Sequence, residues 1–343
     1  MSVALTPEAR SARRRTARRL AGPIVSAATL SAVVWWALHQ QAPRVPTRVG
    51  SLLALGFALL VYAGVTMVRG VRWHAILRRA GIRASMADTQ ALIVVGYMGN
   101  TVLPLRGGEL LRVLLFGGRA DGSRTTIVGT IVAERLLDVL AMLTMLLVLA
   151  LATATGVRGV SQLSLVAAAV LLALGLALLA GWRLSREGRL GALSGRVAAL
   201  TLASRNLLSA QGLRLVLLTA AVWTGEGGVY WLVGRALDVH LDVLQGCFLV
   251  TLSSLAAAIP AAPGYAGTYD AAIQLGLGAL HVHGGRAVAF GLLVRLILFA
   301  PITVAGLIVV LLRYGGPASL GRLRRGSIPA AVEEPVTFVG AVE

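Results

Sequence analysis

The sequence predicts an all-α polytopic membrane protein with about six full spans and two Pro/Gly-broken re-entrant hairpins arranged in inverted repeats. Hydrophobic residues make up 57% of the 343 positions and charged residues only 13%, which is typical of a chain whose solvent is the bilayer. Apolar stretches of spanning length recur along the chain. Two further apolar regions are interrupted by Pro and Gly, and the landmarks around both interruptions follow the same order.

Six apolar stretches are each long enough to cross ~30 Å of hydrocarbon as a helix. They are residues 21–38, 49–68, 126–152, 161–182, 213–233 and 287–312. The first stretch follows six arginines, a pattern that signal peptides share. Its 18 residues exceed the usual ~7–15 of a signal-peptide core, so we expect a retained helix.

Residues 89–117 and 243–280 are apolar but interrupted near the middle. The interruptions are Asn100-Thr-Val-Leu-Pro104-Leu-Arg106-Gly107-Gly108-Glu109 and Pro260-Ala-Ala-Pro263-Gly264-Tyr-Ala-Gly267. Non-helical backbone at membrane depth is tolerated only where protein or a water-filled cavity surrounds it. We therefore expect two re-entrant hairpins that mark the interior, and an ordinary loop between two short crossings is the alternative. The expected hinges are Pro104, Gly107, Gly108, Pro260, Pro263, Gly264 and Gly267.

The two halves share landmarks at an offset of 156 to 160 residues. The landmark pairs are Arg79 with Arg235, Pro104 with Pro260, and Arg135 with Arg295. We therefore expect one repeat at about 49–152 and a second at about 213–312. If the N-terminus is cytoplasmic, the helix at 49–68 runs inward and the helix at 213–233 runs outward, so the repeats are inverted.

Arginine counts support this orientation, because cytoplasmic loops are enriched in basic residues. Of the 32 basic residues, all arginine, 25 fall in the predicted cytoplasmic segments and five in the outer segments. The cytoplasmic segments are 1–20, 69–83, 106–124, 183–214 and 313–325. We expect a cell-membrane protein with a basic segment at 1–20, a disordered tail at 316–343 and both ends cytoplasmic. We attribute the net charge of +18 to arginines that set the membrane orientation and attract anionic lipid headgroups, and we expect no nucleic-acid partner.

Charged residues inside the apolar segments are the candidate site. Glu134, Arg135 and Asp138 interrupt an otherwise apolar stretch, where a charge costs at least ~2.5–3.5 kcal/mol. Glu134 and Asp138 share a helix face and need a cation. We expect Arg295 of the other repeat to supply it, with Arg112 and Arg106 as the next candidates. A structural ion network is the alternative to a substrate site.

Further candidates lie beside the interruptions. Arg106, Glu109 and Arg112 mark the start of a new helix, where a phosphate or carboxylate is favoured. Asn100 is expected to cap the broken backbone. Asp270 occupies the corresponding place after the second interruption, and Glu226 is an intramembrane acid flanked by glycines that either relays a proton or pairs with an arginine.

Motifs for other chemistry are absent from the sequence. It contains no phosphate-binding G-x-x-x-x-G-K-[ST], no G-x-S-x-G and no H-E-x-x-H, so we expect no cofactor and no catalytic residues. His281 and His283 form a weak metal pair without further ligands at a suitable spacing.

Three ordered motifs resemble one known family. They are Tyr97-Met-Gly-Asn-Thr-Val-Leu-Pro-Leu-Arg-Gly-Gly-Glu-Leu-Leu-Arg112, Ala133-Glu-Arg-Leu-Leu-Asp138 and Ile259-Pro-Ala-Ala-Pro-Gly-Tyr-Ala-Gly267. Together they are similar to the signature of the lysylphosphatidylglycerol synthase transmembrane region, the flippase-like domain of the multiple peptide resistance factor. The likeness covers residues 20–315.

The resemblance implies a membrane domain that moves a lipid between leaflets. That lipid is aminoacylated phosphatidylglycerol where the domain is fused to a synthase, and another polar or polyprenyl-linked lipid in stand-alone members. Because the chain ends 31 residues after its last predicted span, we expect no lysine transfer by this chain. Membrane lipids are the expected partners, with a separate lipid-synthesising enzyme as a further candidate.

The expected roles are phosphate binding by Arg106, Arg112, Arg135 and Arg295, and binding of a cationic group or gating by Glu134, Asp138 and Asp270. The alternatives are a membrane-embedded lipid-modifying enzyme, such as a polyprenyl-linked glycosyltransferase, and a non-transporting scaffold for envelope assembly. Such transferases commonly have acids in an early outer loop, and residues 39–49 contain none.

Overall fold

The structure, a computed structural model, describes residues 46–103, 106–116, 124–152, 210–258 and 263–315, together with Ser31 and Trp35. The predicted spans at 21–38 and 161–182, the basic segment at 1–20 and the tail at 316–343 lie outside the described residues. Within the described ranges all regular secondary structure is helical, as the sequence predicts.

Eight α-helices are described. They are α1 (Val49–Arg79), α2 (Met86–Val102), α3 (Gly107–Phe116), α4 (Arg124–Ala152), α5 (Ala210–Ala236), α6 (Val243–Ala256), α7 (Thr268–Ala279) and α8 (Gly285–Tyr314). A 3₁₀ turn at Pro263–Tyr265 lies between α6 and α7. The helices predicted at 126–152, 213–233 and 287–312 are confirmed, with bounds that differ by at most three residues.

The predicted end of the helix at 49–68 is wrong. The sequence suggests a span that ends at residue 68, whereas α1 continues to Arg79. Trp73 and Leu77 are fully buried on this extension, so packing stabilises it as a helix. Arg69 and Arg72 are also buried, and they belong to the protein interior rather than to a cytoplasmic loop. Arg112 of the predicted cytoplasmic segment 106–124 is buried as well, so the arginine count of the cytoplasmic side falls by three residues.

Side-chain caps mark where each hairpin begins. Ser85 Oγ accepts a hydrogen bond from the Asp88 amide at 3.0 Å and begins α2. Asp242 accepts one from the Gln245 amide at 2.7 Å, and the Gln245 side chain accepts in return from the Asp242 amide, which completes a capping box at α6. The start of each hairpin is therefore determined by the residues at the N-terminus of its first helix.

The helices break where Pro and Gly predict it. The first hairpin turns between Val102 and Gly107, and the second turns between Ala256 and Thr268. Gly264 and Gly267 have φ values of 65° and 88°, a region that favours glycine. In the first hairpin, a Cβ at Gly108 would lie 1.8 Å from the Gly96 carbonyl oxygen, so only glycine permits this close approach. Pro104 and Pro260 lie outside the described residues, and re-entrance into the membrane stays a prediction.

The helices form two sets of four, α1–α4 and α5–α8, and the elements of each set follow the same order. In each set a long helix is followed by the two short helices of a hairpin and by a second long helix. α1 packs along α5, α2 packs against α8, and α6 packs against α4. α1 and α5 are antiparallel, because Val65 lies beside Gly225 whereas Arg72, further along α1, reaches back to Thr219. The two sets therefore run in opposite directions.

The helix surfaces suit a lipid environment. Among the described residues, α1, Gly212–Ala236 of α5 and α8 are long and apolar enough to cross a membrane. Large apolar side chains such as Leu53, Leu60 and Leu312 are 68% to 80% exposed. Water disfavours such a surface, whereas hydrocarbon accepts it.

The antiparallel arrangement of α1 and α5 predicts that the loops before the two hairpins face opposite sides of the membrane. Arg83 and His240 are exposed in these loops. In a Cys247→Ala background, which removes the buried native thiol, Arg83→Cys should react with an impermeant maleimide only from the cytoplasm. His240→Cys should react only from outside. Labelling of both positions from one side would contradict the inverted arrangement.

Candidate functional site

Four charged side chains form a buried ion cluster between the helices of the first set. Glu134 on α4 accepts hydrogen bonds from Arg72 at 3.0 Å and from Arg112 at 2.7 Å. Asp138, one turn further along α4, accepts from Arg72 at 2.6 Å. No side chain of the cluster is more than 4% exposed. The cluster ties α1, α3 and α4 together.

Neutral and aromatic groups complete the buried ion cluster. Arg72 Nη1 also donates to Thr219 Oγ1 at 3.2 Å, and Trp223 Nε1 donates to Asp138 Oδ1 at 3.1 Å. Both residues belong to α5, so the cluster also contacts the second set. The Arg112 guanidinium lies 3.9 Å from the ring centroid of Trp73. Burial of charge is tolerated here because each group has partners.

The prediction that Arg295 neutralises Glu134 and Asp138 is wrong. Arg72 and Arg112 pair with Glu134, and Arg72 pairs with Asp138. Arg295 pairs instead with Asp270 of its own set, at 2.8 Å. Both long helices of a set flank their own hairpin, and the acids that pair with Arg72, Arg112 and Arg295 are each supplied within the same set.

A cavity of about 220 Å³ lies between the two sets, beside the buried ion cluster. Both breaks reach its wall, the first through Asn100 and Arg106 and the second through Ala258 and Tyr265. Its charged lining residues are Arg69, Arg106, Arg135, Asp138 and Glu226. The volume is below the ~300–1,000 Å³ of pockets that enclose drug-sized ligands. The cavity thus suits a headgroup rather than a whole lipid.

Arg69 and Glu226 pair on the cavity wall. The two side chains are 5% and 10% exposed, and the pair joins α1 to α5 across the boundary between the sets. The Arg69 guanidinium also faces aromatic rings, at 4.8 Å from the Tyr97 centroid and 6.0 Å from that of Tyr62. The sequence leaves two roles for Glu226, a proton relay or an ion pair with an arginine, and the structure contains the ion pair.

Arg135 and Arg106 share one carboxylate at the first break. Arg135 donates to Asp138 Oδ2 at 3.1 Å, and its Nε lies 3.0 Å from Glu109 Oε1 without hydrogen-bond geometry. Arg106 Nη1 is 4.0 Å from the same Glu109 oxygen. Within the described part of the chain, Arg106 Nε has no hydrogen-bond partner. The ion pairs of Glu109 at the first break are therefore loose.

The second break has the corresponding pair in a tighter form. Arg295 makes two hydrogen bonds to the Asp270 carboxylate, at 2.9 and 2.8 Å, and a third to the Gly264 carbonyl at 3.0 Å. Asp270 also accepts from the Gly267 amide at 3.0 Å. Arg295 thus fixes the turn of the second hairpin, and it does not line the cavity.

The structure brings together half of the candidate residues around the cavity. Those that line it are Asn100, Arg106, Arg135, Asp138 and Glu226. Asn100 Oδ1 also accepts from the Gly108 amide at 3.0 Å, so it caps the broken backbone as expected. The other five do not line the cavity, and they act as ion-pair partners behind its wall. They are Glu109, Arg112, Glu134, Asp270 and Arg295.

The sequence interpretation missed Arg69 and Arg72, which supply the central cations. A signal was present, because apolar residues continue at helical spacing through Trp73, Ile76 and Leu77 after the two arginines. It also missed the aromatic lining, which has no recognisable sequence pattern. Among the described residues, no three His, Cys, Asp or Glu side chains are grouped closely enough to hold a metal ion.

The helical architecture and the charged cavity define a membrane protein with an interior polar site, and comparison with known proteins identifies its family. Residues 20–306 match the family model described as the lysylphosphatidylglycerol synthase TM region. The chain belongs to this family.

Two curated relatives are also similar. The UPF0104 membrane protein PH1989 of Pyrococcus horikoshii is 26% identical over 34% of this chain and 36% of its own length. The UPF0104 membrane protein MJ1078 of Methanocaldococcus jannaschii is 26% identical over 61% of this chain and 92% of its own length. The chain thus spans about a third of the first relative and nearly all of the second. No solved structure gives a significant match.

The buried ion cluster predicts a large loss of stability for Glu134→Gln, because this change leaves Arg72 and Arg112 without one negative charge. We expect the free energy of unfolding to fall by about 3–5 kcal/mol. Thermal or denaturant unfolding of the purified protein in detergent measures it.

Asp238→Asn is the matched control, since Asp238 pairs with Arg48 at the surface with 65% and 82% of the side chains exposed. Its effect should stay within about 1 kcal/mol. Equal stability of Glu134→Gln and the wild-type protein would show that the buried ion cluster does not hold the fold.

Proposed function

We propose that this chain is a lipid translocase that moves an anionic or aminoacylated phospholipid, or a polyprenyl-linked lipid, between the leaflets of the cell membrane. The observation that carries the proposal is the charged cavity between the two broken hairpins. Membership of the family described as the lysylphosphatidylglycerol synthase TM region supports it, and so does the resemblance of the three sequence motifs to a flippase-like domain.

The chemistry of the cavity suits a polar headgroup. A charge at the bilayer centre costs from ~2.5 to more than 10 kcal/mol, which is why headgroups do not cross unaided at useful rates. Fixed arginine side chains replace the hydration of a phosphate, because guanidinium groups donate in pairs to its oxygens. Arg106 and Arg135 face the cavity with such donors. The acyl tails stay in the bilayer, beside the apolar outer surfaces of the helices.

The breaks supply the places where the helices can move. Gly264 and Gly267 adopt backbone conformations that favour glycine, and Gly108 packs directly on α2. Inverted repeats with broken helices are the architecture of many transporters, in which one set rocks against the other around a fixed site. The sequence has no nucleotide-binding motif, so transport is downhill, ion-coupled or driven by a partner such as a lipid-synthesising enzyme.

Leaflet exchange in proteoliposomes tests the proposal. The wild-type protein should accelerate exchange of at least one labelled lipid from a panel of phospholipids and polyprenyl phosphates. Arg135→Gln should slow that exchange about 10-fold or more, because it removes a charged donor from the cavity. Arg286→Gln, an exposed position at the start of α8, should not.

The controls separate loss of function from loss of folding. Each variant is compared by size-exclusion profile and thermal unfolding, and Arg135→Lys, which keeps the charge, should recover part of the exchange. Exchange of no lipid by the wild-type protein would refute the translocase. A covalently modified lipid formed in the same vesicles would instead indicate a membrane-embedded enzyme.

A further inference from the structure

The described charges around the cavity do not cancel. Three arginines and two acids line it directly. When their ion-pair partners are included, the group contains five arginines and four acids, so one positive charge remains. The arginines are Arg69, Arg72, Arg106, Arg112 and Arg135, and the acids are Glu109, Glu134, Asp138 and Glu226. The undescribed residues within the two breaks, 104–105 and 259–262, are Pro, Leu, Ile and Ala and add no charge.

The surplus charge lies on Arg106. Each of the four acids has a closer arginine, at 3.0 Å or less in every case, whereas Arg106 reaches its nearest carboxylate, that of Glu109, only at 4.0 Å. Its Nε has no hydrogen-bond partner among the described residues, but neither do the buried Nε atoms of Arg72, Arg112 and Arg135, so the ion-pair distances are what single out Arg106. A guanidinium with unused donors at a cavity wall attracts an anion.

The backbone holds Arg106 in place at a cost. Its φ of 55° is unfavourable for a residue with a side chain. Tyr265 in the second break has the same φ of 55°, and the Arg106 guanidinium lies 5.8 Å from its ring centroid. The two strained residues thus meet across the cavity, one from each break. Strain kept at a ligand-facing position is typical of binding sites.

We propose that the cavity selects a lipid phosphate whose headgroup carries no cationic group, and that Arg106 determines this preference. The inference rests on the proposed function, since it names the class of lipid that the same cavity accepts. A lysyl headgroup would bring ammonium groups beside the surplus positive charge. Among the described residues, each acid around the cavity has an arginine within 3.0 Å. Glu109 Oε1 accepts no hydrogen bond, but an ammonium would have to compete with Arg135 for it.

Binding of short-chain lipids to the full chain in detergent tests the preference. The probes are dioctanoyl phosphatidylglycerol, its lysyl ester and dioctanoyl phosphatidylcholine, titrated by native mass spectrometry or calorimetry. The wild-type protein should bind phosphatidylglycerol about 10-fold or more tightly than the other two. Arg106→Gln should weaken that binding about 10- to 100-fold and remove the preference.

Further variants make the test independent of folding. Arg106→Lys should keep the preference, and Arg106→Glu should shift it toward the lysyl ester. Arg78→Gln, which removes an exposed arginine near the end of α1, should change nothing. Equal or tighter binding of the lysyl ester by the wild-type protein would overturn the inference, as would a preference that survives Arg106→Gln.

The same lipids in a leaflet-exchange assay distinguish the claim that the chain transports lipids from the claim that Arg106 selects the headgroup. A binding preference that depends on Arg106, without any exchange, would refute the translocase and leave the selectivity standing. Equal exchange of all three headgroups, without a binding preference, would support transport and overturn the selectivity.

Discussion

Glu134 and Asp138 face Arg72 from α4 and compensate its charge inside the helices. An unpaired charge in this environment costs several kcal/mol, so the three residues fix the distance and rotation of α1 and α4. Arg112 extends the same constraint to the first hairpin, and the hydrogen bond from Arg72 to Thr219 extends it to the second set. The position of the cavity follows, because the cluster forms the support behind its charged wall.

The two hairpins are held differently, and this difference bears on function. Arg295 makes three hydrogen bonds that pin the second break. Arg135, the corresponding residue of the first set, divides its contacts between Asp138 and Glu109 and lines the cavity. A ligand that competes for Arg135 disturbs the first break without disturbing the second. In the proposed translocase, substrate binding would thereby be linked to the hairpin whose ion pairs are looser.

Within the described residues, sequence alone located the long helices except for the end of α1, and it located the breaks and the interior acids, because apolar runs, Pro/Gly and charges in hydrocarbon are local signals. Glu134 and Asp138 were found in this way. The cations that pair with these acids are harder to predict. Arg72 follows an apolar run and has the sequence context of a loop arginine. The assignment of Arg295 to Glu134 is wrong. Spacing along the chain does not report which helices touch. The cavity, and the meeting of Arg106 with Tyr265, depend on packing between the sets and leave no local pattern.

Reversible cross-linking of the two breaks tests most directly whether the cavity between them is the path of the headgroup. A Cβ at Gly264 would lie 3.8 Å from Thr101 Cγ2, so Thr101→Cys with Gly264→Cys in a Cys247→Ala background places two thiols in reach of each other. Because the φ of 65° at Gly264 disfavours a side chain, the reduced form of the same variant is the baseline for exchange. We predict that oxidation of this variant in proteoliposomes stops lipid exchange and that reduction restores it. Equal exchange in the oxidised and reduced protein would contradict the account.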